Sequence, residues 1–494
     1  MSALTTRDVP LEIDPEEFRR LGHALIDSVA EFLPSRRTRP VTPFEAPSEV
    51  QRLIGADRSL PLEGTDPGEL LHDTARLLYD HSLFNGHPRF LGYITASPAP
   101  IGMLGDLLAA AVNPNVGSWR LAPVATEIEA QVVRWIAELI GYPTDGGGLL
   151  VSGGNMANMV PFFAARRAAA DWDIRALGLA HPSARPMRVY ASAETHTWLQ
   201  KAADLSGIGT DAIRWIPTDS ELRMDMAALR DAVRTDREAG DLPMMVIGTA
   251  GSVSTGAIDP LHDIAAFCRK ERIWFHVDGA YGALAAAVPD APEELRAMAL
   301  ADSVAVDPHK WLYAPLEAGC VLVRDPLHLR DAFSYHPPYY HFGQEAVNFV
   351  DFGMQNSRGF RALKVWLQLQ HAGRSGYQRM IADDIALAAE LYRQVEAHDE
   401  LQAETLSLSI ATFRYVPPSL RGAVGTPDGE ARLNALNQAL LERVQGSGEV
   451  FVSNAVINGR YLLRACVVNL NTRAEDVAAI PEIVARLGRE VRRE

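Results

Sequence analysis

Seven short apolar segments alternate with helix-forming segments between residues 148 and 325, and this alternation constrains the fold more than any other feature. The predicted strands are GGLLVS, RVYAS, IRWIP, MMVIGTA, IWFHVDGA, SVAVDP and GCVLVRD. Strands separated by helical stretches are typical of βαβ units, in which a mainly parallel sheet is covered by helices on both faces. We therefore predict an α/β fold whose ligands bind at the carboxyl ends of the strands.

The segments that flank this region have different patterns. Residues 15–33 have apolar side chains at helical spacing and predict an amphipathic helix that needs a partner surface. The stretches LSLSIATFRYV and FVSNAVINGRYLLRACVVNL are typical of strands in a smaller α+β domain. We predict an N-terminal helical arm over 1–97, a large α/β domain over 98–372 and a small α+β domain over 373–494.

Composition excludes several classes of protein. Hydrophobic residues make up 47% of the 494 residues and charged residues 22%, as in packed globular domains. The net charge of −15 is opposite to that of nucleic-acid-binding surfaces, so no DNA or RNA partner is expected. No apolar run reaches the ~18 residues of a membrane span, and no signal segment opens the chain. Three widely spaced cysteines indicate neither disulfides nor a metal site, so a cytoplasmic protein is expected.

A lysine at the end of a predicted buried strand is the most unusual local feature. Lys310 lies in DPHKWL, directly after SVAV, although lysine side chains normally seek water. One interpretation is a surface turn, because lysines in loops are common. The other is an amine that acts as a nucleophile toward a carbonyl group. Lys310 alone does not decide between them.

Three further polar signals follow predicted strands, and each has a structural alternative. The SGGN turn, with Gly154 and Asn155, suits either an anion at a helix N-terminus or a plain strand-to-helix turn. His196 either lies on a flat conjugated ring or is a structural histidine. Asp278 follows an apolar strand and either caps a helix or pairs with a buried cation, and Ala280 leaves room for a flat ligand. A lysine, a carboxylate, a histidine and an anion cradle are the groups that pyridoxal 5′-phosphate needs.

The order of the motifs along the chain is also informative. APVATEIEAQVVRW, SGGNMAN, THTWLQKAADLSGIG, HVDGAYGA and VDPHKWL together resemble the group II pyridoxal-phosphate decarboxylases, the family of aromatic L-amino acid and glutamate decarboxylases. The resemblance covers nearly the whole chain. It implies the aspartate-aminotransferase type of fold and a homodimer with the active site at the subunit interface.

The resemblance also implies roles for individual residues. Lys310 would form the Schiff base with the cofactor, Asp278 would pair with its pyridine nitrogen and His196 would stack on its ring. Other residues expected around the cofactor are Gly154, Asn155, Ala280, Asp307 and His309. Asp307 departs from the animal aromatic enzymes, which usually carry asparagine there, and an unshielded carboxylate would repel a phosphate.

The remaining candidates concern the substrate and a catalytic proton. The stretch DAFSYHPPYYHFG resembles the decarboxylase loop that carries a tyrosine, which makes Tyr339 the candidate proton donor, with Tyr335 and Tyr340 as competitors. Tyr93 and Thr95 match a segment that lines the substrate pocket. Arg464 resembles an arginine that meets the substrate carboxylate, although a strand arginine paired with a surface acid is an equal alternative.

The implied reaction is decarboxylation of an L-amino acid to its amine, with an aromatic substrate favoured. An aminotransferase or a decarboxylating aldehyde synthase on the same fold is the alternative, because a fold does not select among the reactions of one cofactor. Some aldehyde-forming relatives carry phenylalanine at the loop tyrosine or asparagine at the stacking histidine. Tyr339 and His196 therefore favour simple decarboxylation. A catalytically silent homologue is the third possibility.

Overall fold

A seven-stranded sheet forms the centre of the larger part of the molecule. The computed structural model describes residues 9–335 and 346–492. Strand order in the sheet is β1-β7-β6-β5-β4-β2-β3, in which β7 runs antiparallel to β1 and β6 and the other neighbours are parallel. The strands are β1 (Gly147–Val151), β2 (Met187–Ser192), β3 (Ile213–Ile216), β4 (Leu242–Thr249), β5 (Trp274–Asp278), β6 (Ser303–Val306) and β7 (Gly319–Val323). The prediction of a mainly parallel sheet is confirmed.

A second sheet lies in the C-terminal part of the chain. Its four strands are all antiparallel, in the order β10-β11-β9-β8. Tight turns join both hairpins, and Asn458 and Gly459 adopt positive φ in the second. The strands are β8 (Leu401–Ser407), β9 (Ile410–Tyr415), β10 (Ser453–Ile457) and β11 (Arg460–Cys466). This is the smaller α+β unit that the sequence predicts.

Fourteen α-helices surround the two sheets within the described residues. Proline stands at the first position of several of them, where its missing N–H would have no partner in any case. The helices are α1 (Pro15–Ser35), α2 (Pro47–Ile54), α3 (Pro67–His81), α4 (Pro100–Val112), α5 (Pro123–Ile140), α6 (Gly154–Ala169), α7 (Ile174–Leu177), α8 (Trp198–Leu205), α9 (Met226–Glu238), α10 (Leu261–Glu271), α11 (Leu327–Phe333), α12 (Ala362–Glu396), α13 (Pro427–Gly446) and α14 (Ala474–Val491). None of them is both long and apolar enough to cross a lipid bilayer.

Helix α12 connects the two parts of the molecule. It packs against α4 and α5 of the large part and against α14, β8 and β9 of the small part. Gly373 interrupts it with φ 64° and ψ 171°, a conformation outside the helical region that glycine adopts readily. The domain boundary expected at 372/373 lies next to this break and stays a prediction.

The buried strands position the chemistry at one edge of the large sheet. β4, β5 and β6 are parallel neighbours and end at Thr249, Asp278 and Val306. Their interior residues are almost all inaccessible to solvent, so the strands are held firmly in register. The polar residues that follow each strand therefore converge at the carboxyl edge.

Candidate active site

A cavity of about 320 Å³ opens at this carboxyl edge. It brings together eight of the residues predicted from the sequence, namely Gly154, Asn155, His196, Asp278, Ala280, Asp307, His309 and Lys310. Its other lining residues are Ser152, Asn158, Glu194, Thr249, Gly251, Val253 and Tyr281. A larger cavity of about 640 Å³ lies at the opposite edge, but neither lysine nor histidine lines its described walls. The predicted cofactor-binding residues therefore lie together at the smaller cavity.

Lys310 forms an ion pair inside the cavity. Its Nζ lies 3.1 Å from Oδ2 of Asp307, whose side chain is 1% exposed. The turn from β6 keeps the two close, because the Lys310 N–H donates to the Asp307 carbonyl oxygen. The Asp307 carboxylate thus faces a cation and is not unshielded. Its other oxygen, Oδ1, has no hydrogen-bond partner within the described parts of the chain.

Asp278 lies at the end of β5 with two donors fixed on it. The Trp198 indole N–H donates to Oδ2 at 2.7 Å, and the Ala280 backbone N–H donates to Oδ1 at 3.2 Å. These two bonds fix the orientation of the carboxylate at the wall of the cavity. Asp278 can therefore present a negative charge to a cationic group in the cavity.

His196 stands at the start of α8. Its Nδ1 accepts the backbone N–H of Trp198 at 3.2 Å, which satisfies a donor of the first helical turn and fixes the ring. Protein atoms around the imidazole lower the pKa of His196, although its outer face remains open. The ring is therefore a neutral, flat surface toward the cavity near pH 7.

The N-terminus of α6 lies on another side of the cavity. Gly153 precedes it with φ 87°, and no side chain caps its first N–H groups. A Cβ atom on Gly154 would lie 2.5 Å from Asp307 Oδ2, so the close approach of turn and carboxylate requires glycine. Uncapped N–H groups at a helix start bind anions well.

A buried hydrogen-bonded chain supports this edge from behind. His276 Nε2 bonds to Asn158 Oδ1 and its Nδ1 to Ser303 Oγ, each at 2.8 Å. Asn158 in turn donates to the Gly154 carbonyl oxygen at 2.9 Å. Burial lowers the pKa of His276 to about 4, so the imidazole stays neutral and adds no cation beside Asp278.

The segment after Lys310 is fastened to α12 through Asp384. The Trp311 indole N–H and the Tyr313 hydroxyl both donate to Asp384 Oδ2, at 2.8 and 2.7 Å. Burial raises the pKa of Asp384 to about 7, and the two donors offset only part of that effect. A carboxylate buried behind the lysine therefore titrates near neutral pH.

Replacing Asp384 with asparagine should flatten the pH dependence of stability. The folded-state pKa exceeds the ordinary aspartate value of 3.8, so wild type loses stability as the pH rises from about 4 to about 7. The loss is at most about 1.4 kcal/mol per pH unit. Asparagine keeps an acceptor for both donors and does not ionise.

Urea unfolding between pH 4.5 and 7.5 measures the difference in pH dependence between wild type and Asp384→Asn. The exposed neighbour Asp383 provides the control Asp383→Asn. Parallel pH profiles for wild type and Asp384→Asn would contradict the expectation.

The candidates for substrate contacts do not line the cavity in the single chain. Tyr93 is 58% exposed and Thr95 is half-buried. Arg464 is buried, and its Nη1 donates to Ser453 Oγ at 2.9 Å and to the Tyr93 carbonyl oxygen at 3.3 Å. Tyr339 and Tyr340 lie outside the described residues. Tyr335 is exposed, with the Arg175 guanidinium 4.2 Å from its ring centroid.

Sequence reasoning missed several lining residues, of which Asn158, Glu194 and Thr249 are polar. The sequence contains a pattern from which two of these residues, Asn158 and Thr249, could have been predicted. Asn158 is four residues after Gly154 on α6 and so faces the same side, and Thr249 ends the strand beside Asp278. Ser252, next to the lining residue Val253, bonds to Thr255 Oγ1 at 2.9 Å and does not line the cavity.

The donor set of the cavity fits pyridoxal phosphate. Lys310 supplies a primary amine, Asp278 a carboxylate for the pyridine nitrogen and the uncapped start of α6 N–H groups for the phosphate. His196 supplies a flat face. No group of three or more histidine, cysteine, aspartate or glutamate residues in the described ranges could hold a metal ion.

Comparison with known proteins agrees with this chemistry. A family model described as the pyridoxal-dependent decarboxylase conserved domain matches residues 47–415. The chain belongs to the pyridoxal-dependent decarboxylase family. It is therefore a pyridoxal-phosphate-dependent amino-acid decarboxylase, which confirms the predicted resemblance, cofactor and reaction type.

Relatives of this decarboxylase cover its whole length. An aromatic-L-amino-acid decarboxylase of Bacillus atrophaeus is 31% identical over 97% of both chains. A phenylacetaldehyde synthase of Petunia hybrida is 31% identical over 92% of this chain and 91% of its own. A crystal structure of Oryza sativa TDC with PLP and tryptamine superposes with a TM-score of 0.89 at 27% identity, covering 98% of this chain and 99% of that one. The predicted fold type is confirmed.

Proposed function

We propose that this decarboxylase converts an aromatic L-amino acid into the corresponding amine. The observation that carries the proposal is the cavity in which Lys310, Asp278 and His196 converge. The aromatic preference is supported by the names of its relatives, among them the Bacillus atrophaeus decarboxylase. Incubation with each of the twenty amino acids, followed by mass spectrometry of the products, tests it. Turnover of only non-aromatic substrates would overturn the preference.

Each residue of the cavity has a distinct task in this proposal. Bound pyridoxal phosphate supplies an electron-withdrawing ring that lets the bond between Cα and the carboxyl group break. The Lys310 amine holds the cofactor and returns to release the product. Asp278 stabilises positive charge at the ring nitrogen, and His196 keeps the ring plane fixed. The start of α6, with Gly154 and Asn155, binds the phosphate, and Ala280 leaves room beside the ring.

Asp307 and His309 complete the cofactor site. The Asp307 carboxylate is balanced by Lys310, and His309 Nε2 lies 3.6 Å from Asp307 Oδ2. Burial lowers the pKa of His309, so a neutral imidazole can donate to the phosphate without a permanent charge. Asp307 thus acts on the lysine, and the helix start and His309 act on the phosphate.

Arg464 is the proposed partner of the substrate carboxylate. Its side chain is 2% exposed, and its hydrogen-bond acceptors in the described residues are a carbonyl and a hydroxyl oxygen, neither of which is a carboxylate. Its Nε and Nη2 have no hydrogen-bond partner there either. A buried guanidinium without a counter-ion is unfavourable, and an incoming carboxylate would relieve that state. Tyr93, whose carbonyl oxygen contacts Arg464, and Thr95 would lie beside the substrate.

Replacing Tyr339 with phenylalanine should change the product. After CO2 leaves, the substrate Cα must collect a proton before oxygen reaches it, and a phenol can supply that proton. The variant should keep cofactor binding and CO2 release, while amine yield falls and aldehyde, ammonia and peroxide rise in aerobic buffer. Product analysis by mass spectrometry and a peroxide assay measures the change.

Tyr335→Phe is the matched control for this experiment. Tyr335 is 65% exposed and belongs to the same stretch of tyrosines, so its variant should still yield amine. Unchanged amine from Tyr339→Phe would exclude Tyr339 as the donor. Aldehyde from Tyr335→Phe would transfer the role to Tyr335. The phenylacetaldehyde synthase among the relatives makes aldehyde formation the second candidate activity.

The proposed assembly is a cytoplasmic homodimer of chains with three units, 1–97, 98–372 and 373–494. Leu104, Leu107 and Leu108 on α4 are each about half exposed, and so is the apolar face of α1 at Phe18. Exposed apolar patches of this kind favour association with another protein surface. The break at Gly373 supports the second boundary. Sedimentation analysis tests the dimer, and a monomer at micromolar concentration would contradict it.

A further inference from the structure

Trp198 contacts both side chains that are proposed to hold the cofactor ring. Its indole N–H donates to Asp278 Oδ2 at 2.7 Å, and its backbone N–H donates to His196 Nδ1 at 3.2 Å. Asp278 is 80 residues away in sequence, so this bond joins α8 to β5 across the fold. One residue thus connects the carboxylate and the imidazole.

The indole has little freedom to leave this position. Trp198 is 1% exposed and is the first residue of α8. Phe162 and His276 pack edge-on against its ring, with centroids 6.3 and 5.9 Å away. Close packing against these two rings restricts the direction of the N–H bond. The donor is therefore preorganised toward Asp278.

The surroundings of Asp278 make this donor important. Asp278 is 7% exposed, and its other described donor is the Ala280 N–H at the longer distance of 3.2 Å. His276, two residues earlier on β5, stays neutral because burial lowers its pKa to about 4. Of the two hydrogen bonds to Asp278, the one from the indole is the shorter. The orientation of this carboxylate therefore depends chiefly on the indole donor.

We infer that Trp198 is a positioning residue that orients the Asp278 carboxylate toward the pyridine nitrogen of the cofactor. The inference rests on the proposed role of Asp278. Hydrogen bonds to charged groups contribute about 1.5–3 kcal/mol, which corresponds to roughly tenfold or more in affinity. The effect of the indole should depend on the presence of the ring nitrogen.

The test compares two cofactors on the full-length apoprotein. One is pyridoxal phosphate, and the other is its deaza analogue, in which carbon replaces the pyridine nitrogen. Trp198→Phe keeps an aromatic ring and removes the N–H. It should weaken pyridoxal phosphate binding about tenfold or more, while affinity for the analogue changes by less than about twofold. Fluorescence titration of the apoprotein gives both dissociation constants.

Trp172→Phe is the matched control. Trp172 is buried in the same apolar cluster as Trp198, but its indole donates to the Gly178 carbonyl oxygen at 2.9 Å and does not line the cavity. It should leave both affinities unchanged. Replacing the Trp198 indole by benzothiophene, through incorporation of benzothienylalanine, keeps the ring size and removes the N–H, so the test does not depend on whether Trp198→Phe folds.

Three results would overturn the inference, and they can be told apart. Equal weakening of both cofactors by loss of the N–H would make Trp198 a packing residue, and no weakening of either would exclude a role in binding. Equal affinity of wild type for pyridoxal phosphate and the analogue would instead remove the proposed role of Asp278, and the inference with it.

Discussion

Lys310→Ala is expected to bind pyridoxal phosphate without a covalent link and to lose decarboxylation almost completely. Only a primary amine can hold the cofactor aldehyde covalently and later release the product. The fall in turnover should be roughly a thousandfold or more, equivalent to about 4 kcal/mol of activation free energy. Visible absorption measures cofactor binding, borohydride reduction with peptide mapping detects the covalent link, and single-turnover assays measure decarboxylation.

The lysine content of the chain makes this assignment unusually easy to test. The sequence contains four lysines, Lys201, Lys270, Lys310 and Lys364. Lys201 and Lys270 are exposed, and Lys364 pairs with Asp106 at 3.2 Å on another side of the fold. Lys201→Ala, on the helix after His196, is the matched control and should keep the label and full activity. A borohydride label on any lysine other than Lys310 would refute the site assignment.

Asp278→Ala should reduce turnover by orders of magnitude while the protein remains folded. Without a carboxylate at the ring nitrogen, the cofactor becomes a weaker electron acceptor. Each tenfold loss of turnover corresponds to about 1.4 kcal/mol of activation free energy. We expect turnover to fall roughly a thousandfold. The surrounding strand is apolar, so thermal unfolding should change little by comparison. Steady-state kinetics at saturating cofactor separates the chemical effect from weaker binding.

Asp278→Asn distinguishes the charge from the hydrogen bond. Asparagine keeps an oxygen that can accept the Trp198 N–H, but it carries no negative charge. If the charge is what matters, the two variants should lose similar turnover. Near-normal turnover of Asp278→Ala with bound cofactor would show that Asp278 does not act on the ring nitrogen. Near-normal turnover of Asp278→Asn alone would show that hydrogen bonding suffices without the charge.

Much of the fold and of the cofactor site could be predicted because the signals are local. Each strand of the large sheet is an uninterrupted apolar run, and the polar residue that matters follows directly, as Asp278 follows IWFHV. Parallel strands then bring their carboxyl ends together without further information. For this reason the amino-acid sequence alone suffices to assign Lys310, His196 and Gly154 to one site.

Contacts between distant segments could not be predicted in this way. The donor to Asp278 comes from Trp198, and an acceptor for Arg464 comes from the loop at Tyr93, 371 residues away. The charge on Asp307 suggested a conflict with phosphate, and only the 3.1 Å distance to Lys310 shows where the carboxylate points. Hydrogen-bond partners depend on side-chain rotamers and on tertiary packing, which a periodicity does not encode.

The structural reason for the glycine at position 117 differs from the one that the sequence suggests. A small residue in NPNVGSW suggests a roomy substrate pocket. In the structure, a Cβ atom there would lie 2.4 Å from the Asn356 carbonyl oxygen, and the Gly117 carbonyl accepts the Val350 N–H. Glycine is needed for this close backbone approach, whatever the size of the substrate.

Helix α12 limits how members of this family can be recombined. The helix packs on α4 and α5 of the large part and on α14 and the small sheet, and its contacts with the large part continue beyond Gly373 as far as Asp384. Gly373 is the point at which the backbone already leaves the helix. A splice at Gly373 would separate Asp384 from its donors Trp311 and Tyr313. A chimera that exchanges the small sheet between relatives should therefore take α12 through Asp384 from the same parent as the large part.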